Sequence, residues 1–315
     1  YEDSVGELIG ELGEGFKLML VLMNNARVAV GFEAIGVCHQ ALKMANHYAG
    51  QRRSMGKLLK DHELMADTLQ TMDTELRGMR ALAFETVNHV EISQRLETRL
   101  RYDPPSDSAK RKTFEKRLKK AKRKSRRLTP LLKFIAAEKA VEFCRINMQV
   151  HGGMGYISET GADRLLRDAL VLPVYEGTSQ IQALMVLKDH LGDAIKDPAG
   201  FLEKAVRLRV AAGTSRGLER ALLQAKVKLH SATETILRRI LAAKLKTGMH
   251  GSFVERLGIL SGDFMKSWDA KKDFAHGLVH AERICQMLVD VKIGQALDRQ
   301  ADKHPERQIY AVRYL

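Results

Sequence analysis

Proline is scarce in this sequence. There are 6 prolines in 315 residues, aromatic residues make up 6%, and there is one tryptophan. A sheet-rich chain draws on aromatic and β-branched residues, so the shortage favours helix. Long hydrophobic runs are missing as well. No uninterrupted apolar stretch approaches the roughly 18–20 residues of a membrane span, so no transmembrane segment is expected. Cysteine is limited to Cys38, Cys144 and Cys285, far apart and outside any CxxC or Cys/His pattern. That argues against a disulfide scaffold and a thiolate metal site. Reduced core thiols in a reducing, cytoplasmic compartment are expected. The chain begins at Tyr1 without an initiator methionine or a signal-like stretch, and a piece of a longer protein is expected.

Acidic residues are nearly absent from one segment. Residues 110–127 hold twelve Lys/Arg against one Glu, a local +11 out of the chain's +14. The basic character therefore belongs to this segment rather than to the whole surface. It opens after Asp103-Pro104-Pro105-Ser106-Asp107 and reads as a solvated helix or a mobile loop. Two other readings stay open: attraction of anionic ligand phosphates, and binding of nucleic acid or an anionic membrane surface by counterion release. Phe114 is its one aromatic residue, and no nucleic-acid module is recognisable.

What is abundant is helical periodicity. Phe16, Met19, Leu20 and Met23 step as a buried helical face, in a first helix expected over Gly15–His47. A turn is expected at Gly50–Gly56. Met65, Leu69, Met72, Leu76, Met79 and Ala83 form an apolar stripe on a second helix. A third helix is expected after Pro130, carrying Leu132, Ile135, Ala136, Val141 and Phe143, and ending before His151-Gly152-Gly153. A short helix over Ala162–Asp168 and an extended stretch over Leu170–Tyr175 follow. Thr178 reads as the N-cap of a fourth helix through Leu191. After Gly192, the stretch Lys196–Gly200 is linker-like. Two long helices follow, with Leu229, Ile236, Leu237, Ile240 and Leu241 on one face and Leu278, Ala281, Cys285 and Leu288 on the other. Gly248 and Gly251 are expected to mark the turn between them. The fold class is all-α: a four-helix bundle followed by a helical extension.

One stretch stands out chemically: Gln149–Gln182, QVHGGMGYISETGADRLLRDALVLPVYEGTSQIQ. Gly152, Gly153 and Gly155 either stop a helix or let backbone approach a phosphate. Glu176 has apolar neighbours and no adjacent Lys or Arg. It is either a partly desolvated carboxylate suited to general-base work or an ordinary Glu at a helix N-terminus. Thr178, Ser179 and Gln180 either cap the helix or present polar groups to a cofactor there. His276 and His280 are four apart, but no carboxylate motif accompanies them and no metal site is expected.

These motifs carry a family resemblance. QVHGGMGY, RDA and VYEGTSQIQ resemble the signature of the acyl-CoA dehydrogenases. GELGEGFKLMLVLMNNARVAVG resembles the family's join between a middle β domain and a C-terminal helical domain, and YAGQRRSMGKLLKDHELMAD its R-x-x-F-G region. These motifs recur in order over about residues 5–191. The insert near 101–130 and the extension over 192–315 resemble the longer bacterial branch that includes methylmercaptopropionyl-CoA dehydrogenase. Residues 1–14 match the end of a β domain that is otherwise outside this sequence, and 15–191 match the helical bundle.

The resemblance implies FAD-dependent α,β-dehydrogenation of an acyl-CoA to a trans-2-enoyl-CoA. Glu176 matches the base that removes the α-proton while the β-hydrogen leaves as hydride to flavin N5. Some members place the base before the Arg of the first helix; here that position is Ala26. Asn24, Arg27, Tyr175 and Gly177 match the substrate site. Asn24 stands where many members have Asp. Arg52, Arg53 and Ser54, together with His62, match cofactor contacts supplied across a dimer, where an Arg fork suits a diphosphate. Gln149, Val150, His151, Gly152 and Gly153 match an adenine-nucleotide contact, and Thr178, Ser179 and Gln180 another. Met55 replaces a usual Phe, and Glu63 a common Gln. A homodimer or homotetramer and an electron-transferring flavoprotein partner are implied. DNA-binding relatives exist among the homologues, so a catalytically repurposed relative that uses the basic segment is the alternative.

Overall fold

Small residues let the first and third long helices approach closely. α1 (Gly15–Gln51) and α3 (Ser108–His151) run parallel, with α2 (Glu63–Tyr102) antiparallel between them in sequence. At the crossing of α1 and α3, a Cβ on Gly31 would lie 2.7 Å from Leu132 Cγ, so only glycine permits this spacing. Farther along, the rings of Tyr48 and His151 stack with centroids 4.4 Å apart. The computed structural model describes residues 2–249 and 275–315.

The shorter elements close the bundle. A two-stranded antiparallel hairpin, β1 (Arg53–Ser54) and β2 (Lys57–Leu58), joins α1 to α2. Its apex residues Met55 and Gly56 have φ of 47° and 84°, the left-handed pair that a tight two-residue hairpin requires. After α3 come α4 (Gly153–Tyr156) and α5 (Ala162–Ala169), and then α6 (Ser179–Lys196). Asp189 and Asp193 on α6 pair with Arg126 and Arg127, while Lys133 reaches the Gly177 carbonyl just before α6, so α6 runs antiparallel to α3. The stripe expected on α2 is the core: Leu69, Met72, Leu76, Met79 and Ala83 are all buried. Each such large side chain contributes roughly 1.5–3 kcal/mol of transfer free energy.

The remaining helices pack onto this bundle. They are α7 (Pro198–Thr214), α8 (Gly217–Met249), α9 (Ala275–Leu278), α10 (Ala281–Lys303) and α11 (Gln308–Tyr314). Ile284, Cys285, Val289 and Ile293 of α10 belong to the same hydrophobic cluster as the bundle core. All three cysteines are buried and unpaired.

Several expectations are corrected. Phe16, Met19 and Leu20 are exposed, so they do not form the expected buried face among the described residues. α3 does not restart at Pro130 but runs through it, and the basic segment forms its first turns, capped by Asp107, whose Oδ1 accepts from Ala109 N at 2.8 Å. A mid-helix proline costs a hydrogen bond, but Pro130 lies in a buried stretch of α3 with Leu128, Leu131 and Leu132, and the helix continues through it. Leu170–Tyr175 is not extended; it is a chain of turns, with Leu172 N bonded to Ala169 O at 3.1 Å and Val174 N to Val171 O at 2.9 Å. α6 continues through Gly192, and Asp197 alone separates it from α7, whose N-terminus it caps through Gly200 N at 3.0 Å. Gly248 lies inside α8, and Gly251 falls outside the described residues. The helical segment Leu18–Gln51 is long and apolar enough (mean hydropathy 1.4) to pass a length-and-composition test for a membrane span, a test that a core helix passes as well. Small and β-branched residues spread over α1 raise its mean without any long run, and from Val28 on they pack against the bundle.

Candidate active site

Two consecutive left-handed residues build the site. Glu176 has φ 55° and Gly177 φ 86°, between the turns after α5 and the start of α6. A non-glycine residue in this region is strained by roughly 1–2 kcal/mol, and the surroundings must hold it. Three side chains from three helices do so. Arg27 of α1 donates from Nε to the Glu176 carbonyl at 3.2 Å. Gln182 of α6 donates from Nε2 to the Glu176 and Gly177 carbonyls at 3.2 and 3.1 Å. Lys133 of α3 donates from Nζ to the Gly177 carbonyl at 2.8 Å. The turn is closed by Ser179 N on Pro173 O at 2.9 Å.

The carboxylate of Glu176 is treated differently from its backbone. Its Oε2 is buried and has no hydrogen-bond partner. Arg27 directs Nη1 to Asn24 Oδ1 at 3.2 Å and to Met185 Sδ at 3.7 Å, leaving the carboxylate without an ion pair among the described residues. Burial holds the Arg27 guanidinium below its ordinary range, with Glu176 opposing the shift. Tyr175 donates its hydroxyl to Glu33 Oε2. Burial raises the Tyr175 phenol, and the neighbouring Glu33 raises it further.

Thr178 acts as a cap, its Oγ1 accepting from Ile181 N at 3.3 Å. Ser179 is buried and its Oγ is unpartnered. Gln180 donates to Glu282 Oε1 at 2.8 Å and so ties α6 to α10. Asn24, Arg27, Tyr175, Glu176, Gly177 and Thr178 therefore come together at one end of α1.

The other candidate residues gather at the opposite end. Arg52, Arg53 and Ser54 are exposed on the hairpin, and His62 Nε2 contacts Ser54 O at 3.0 Å. Stacking of Tyr48 on His151 brings this hairpin beside Gln149–Gly153 at the end of α3. His151 turns into the bundle, its Nδ1 2.8 Å from Asn147 O, and Val150 is buried; Gln149, Gly152 and Gly153 are exposed. The glycines divide their work. Gly152, at φ 60°, ends α3, and a Cβ on Gly155 would lie 2.4 Å from the Met148 carbonyl. Gly153 has open space and negative φ, so packing does not demand it. Lys57 pairs with Glu63 at 3.0 Å and offsets the negative charge that replaces a neutral Gln there. From Arg27 to Gln51, α1 spans about 36 Å at 1.5 Å per residue. The two groups are thus far apart within one chain.

The basic segment forms the exposed outer face of early α3. Part of its charge is matched internally, by Lys122 on Glu97 at 2.6 Å and by Arg126 and Arg127 on α6. Among the described residues, no group of three or more His, Cys, Asp or Glu is placed to hold a metal.

Sequence reading missed Lys133 and Gln182. Lys133 is fully buried, and its one visible signal is a lone cation inside Leu131-Leu132-Lys133-Phe134-Ile135. Burial pushes its ammonium down to about 8.

Residues 13–100 and 109–191 match the family model described as acyl-CoA dehydrogenase, C-terminal domain. The chain belongs to the acyl-CoA dehydrogenase family. Among curated acyl-CoA dehydrogenase relatives, it is 32% identical over 221 residues to 3-methylmercaptopropionyl-CoA dehydrogenase of Ruegeria pomeroyi, covering 67% of this chain and 34% of that protein. It is 28% identical to the acryloyl-CoA reductase (NADH) of Anaerotignum propionicum, over 58% of this chain and 39% of that protein. The chain spans about a third to two-fifths of the length of these relatives. Among solved structures, an acyl-CoA dehydrogenase from Bacillus anthracis complexed with FAD is similar with a TM-score of 0.65 at 18% identity, over 98% of this chain and 48% of that one. Caenorhabditis elegans ACDH-11 in complex with C11-CoA gives 0.63 at 21% identity, over 97% and 44%. Both cover the extension as well as the bundle, so the extension is part of a shared fold.

Proposed function

We propose that this chain is the helical part of a FAD-dependent acyl-CoA dehydrogenase in which Glu176 removes the α-proton of an acyl-CoA thioester. The observation that carries the reading is the bare, buried Oε2 of Glu176 on a turn pinned by its backbone. A carboxylate oxygen with no donor on it gives up no hydrogen bond when it takes a proton. Arg27, Gln182 and Lys133 hold the backbone, so the side chain keeps its direction while its charge changes. The α-proton passes to Glu176, the β-hydrogen leaves with its electron pair, and the α,β double bond of a trans-2-enoyl-CoA forms.

The residues present fit FAD. Arg52 and Arg53 are exposed cations on a rigid hairpin, suited to a diphosphate, and Gly152 and Gly153 offer accessible backbone beside them. Ser179 keeps an unpartnered hydroxyl near Glu176. FAD supplies the hydride acceptor for the β-hydrogen. The distance between the two groups supports a homodimer, or a homotetramer of such dimers, in which the hairpin of one subunit serves the cofactor beside the Glu176 of another. Residues 15–191 form the bundle domain and 192–315 its extension. An electron-transferring flavoprotein is the proposed electron acceptor, and the three buried unpaired thiols support a cytoplasmic setting.

The test is an anaerobic titration of the full-length protein with saturated acyl-CoAs of increasing chain length. Bleaching of a flavin absorbance by one length class is expected. A flavin-loaded protein that none of them bleaches contradicts the reading and favours a repurposed relative.

A further inference from the structure

We infer that Lys133 is a positioning residue for the base: it fixes the Gly177 carbonyl and, through it, the direction of the Glu176 carboxylate. The inference rests on the proposed role of Glu176 and extends it.

Three observations carry it. Lys133 is fully buried in the middle of α3, among Leu132, Phe134 and Ile135. A buried lysine without a partner is costly, and this one directs Nζ to a single acceptor, the Gly177 carbonyl at 2.8 Å. The acceptor belongs to the peptide that follows Gly177, at the end of the two consecutive left-handed residues that need outside support. Gln182 also reaches this carbonyl, but at 3.1 Å and while shared with the Glu176 carbonyl. Arg27 reaches only the Glu176 carbonyl. Lys133 is therefore the one full-time donor to the second peptide of the turn among the described residues. Without it, that peptide can rotate and swing the Glu176 side chain away from the substrate.

The cation lies within electrostatic reach of Arg27, Glu138 and Glu176 while its hydrogen bond goes to the Gly177 carbonyl rather than to a carboxylate.

The experiment uses the full-length flavin-loaded enzyme and an acyl-CoA with a quaternary β-carbon. This probe has α-protons to exchange and no β-hydrogen to give, so exchange into deuterium oxide reports the base alone. Lys133→Met should slow exchange by about tenfold or more, as small misplacements of a reacting group do, with probe affinity and flavin content at parental levels. Lys133→Arg, which keeps donors at this position, should recover most of the rate. Parental exchange in Lys133→Met overturns the inference. If Lys133→Met does not hold flavin, Lys133→Leu takes its place with the same reading; loss of flavin in both makes Lys133 a structural residue and also overturns it. Glu176→Gln is run alongside. Parental exchange in Glu176→Gln sinks the proposed function itself, whereas a silent Glu176→Gln beside a fully active Lys133→Met sinks only the role of Lys133.

Discussion

Arg27 and Glu176 lie 149 residues apart in sequence, yet Arg27 Nε donates to the Glu176 carbonyl at 3.2 Å. The contact uses the backbone and leaves the carboxylate alone. Arg27 is 4% exposed, so its guanidinium has to find further partners inside the protein, and Nη1 finds Asn24 and Met185. A lysine at this position offers one point charge where three directions are in use. Arg27→Lys should lower the rate of flavin reduction by roughly 10- to 100-fold, about 1.4–2.8 kcal/mol, with flavin retained. Stopped-flow flavin reduction measures this, and a parental rate would show that the Arg27 fork does not hold the turn.

Gly177 has two reasons to be glycine. Its φ is 86°, and a Cβ would lie 2.8 Å from Gln182 Nε2. Gly177→Ala should destabilise the chain by about 1–3 kcal/mol and disturb the Gln182 bonds that pin Glu176. Urea unfolding reads the first effect and turnover the second. An alanine variant as stable as the parent would contradict the turn geometry.

The docking of α10 on α2 depends on Gly78. A Cβ there would lie 2.5 Å from Ile293 Cγ2 and 3.3 Å from the Tyr314 ring. Gly78→Ala should cost about 1–3 kcal/mol by overpacking. Ile293→Ala opens space at the same point, so the double variant should be more stable than the sum of the single effects predicts. Strict additivity in a double-mutant cycle would mean that the two residues do not touch.

His190 links α6 to α8 through Thr233 Oγ1 at 2.9 Å. Burial lowers its pKa to about 4, and Lys204, His230 and Arg127 push the same way while Asp193 opposes them. The folded imidazole thus releases its proton more readily than the unfolded one, whose value is near 6.5. Between these values the unfolded state binds more protons, so stability rises with pH and is lost as pH falls from about 6.5 to about 4. The slope for one proton is at most about 1.4 kcal/mol per pH unit. His190→Gln should flatten this acid limb in urea titrations at pH 7, 5.5 and 4.5; the values are about those needed to bracket the window. An unchanged slope would place the acid sensitivity elsewhere.

Much of the bundle was legible in the sequence, because burial on α2 follows the helical period without interruption from Leu69 to Ala83. The failures have physical causes. Phe16, Met19 and Leu20 show the same period but stay exposed among the described residues, and periodicity does not say what covers a face. Pro130 reads as a stop because local sterics oppose it, whereas it is buried inside an α3 that runs on through it. Leu170–Tyr175 has the composition of a strand, but its backbone bonds close locally into turns. At the site, Glu176, Arg27 and Thr178 were legible from motif and resemblance. Lys133 was not, since a donor that serves a backbone carbonyl 44 residues away leaves no local pattern; Gln182 lies in the quoted motif, but its bonds to the Glu176 and Gly177 carbonyls have no sequence signature.

The most direct test of the account is the flavin reduction rate of Glu176→Gln in the full-length enzyme, mixed anaerobically with the acyl-CoA that bleaches the parent. Glutamine keeps the size of the side chain and the backbone bonds of the turn and removes the proton acceptor. The account predicts parental flavin content and substrate binding, with reduction slowed by about 10²- to 10⁴-fold or more. Reduction at the parental rate would contradict it and take Glu176 out of the mechanism.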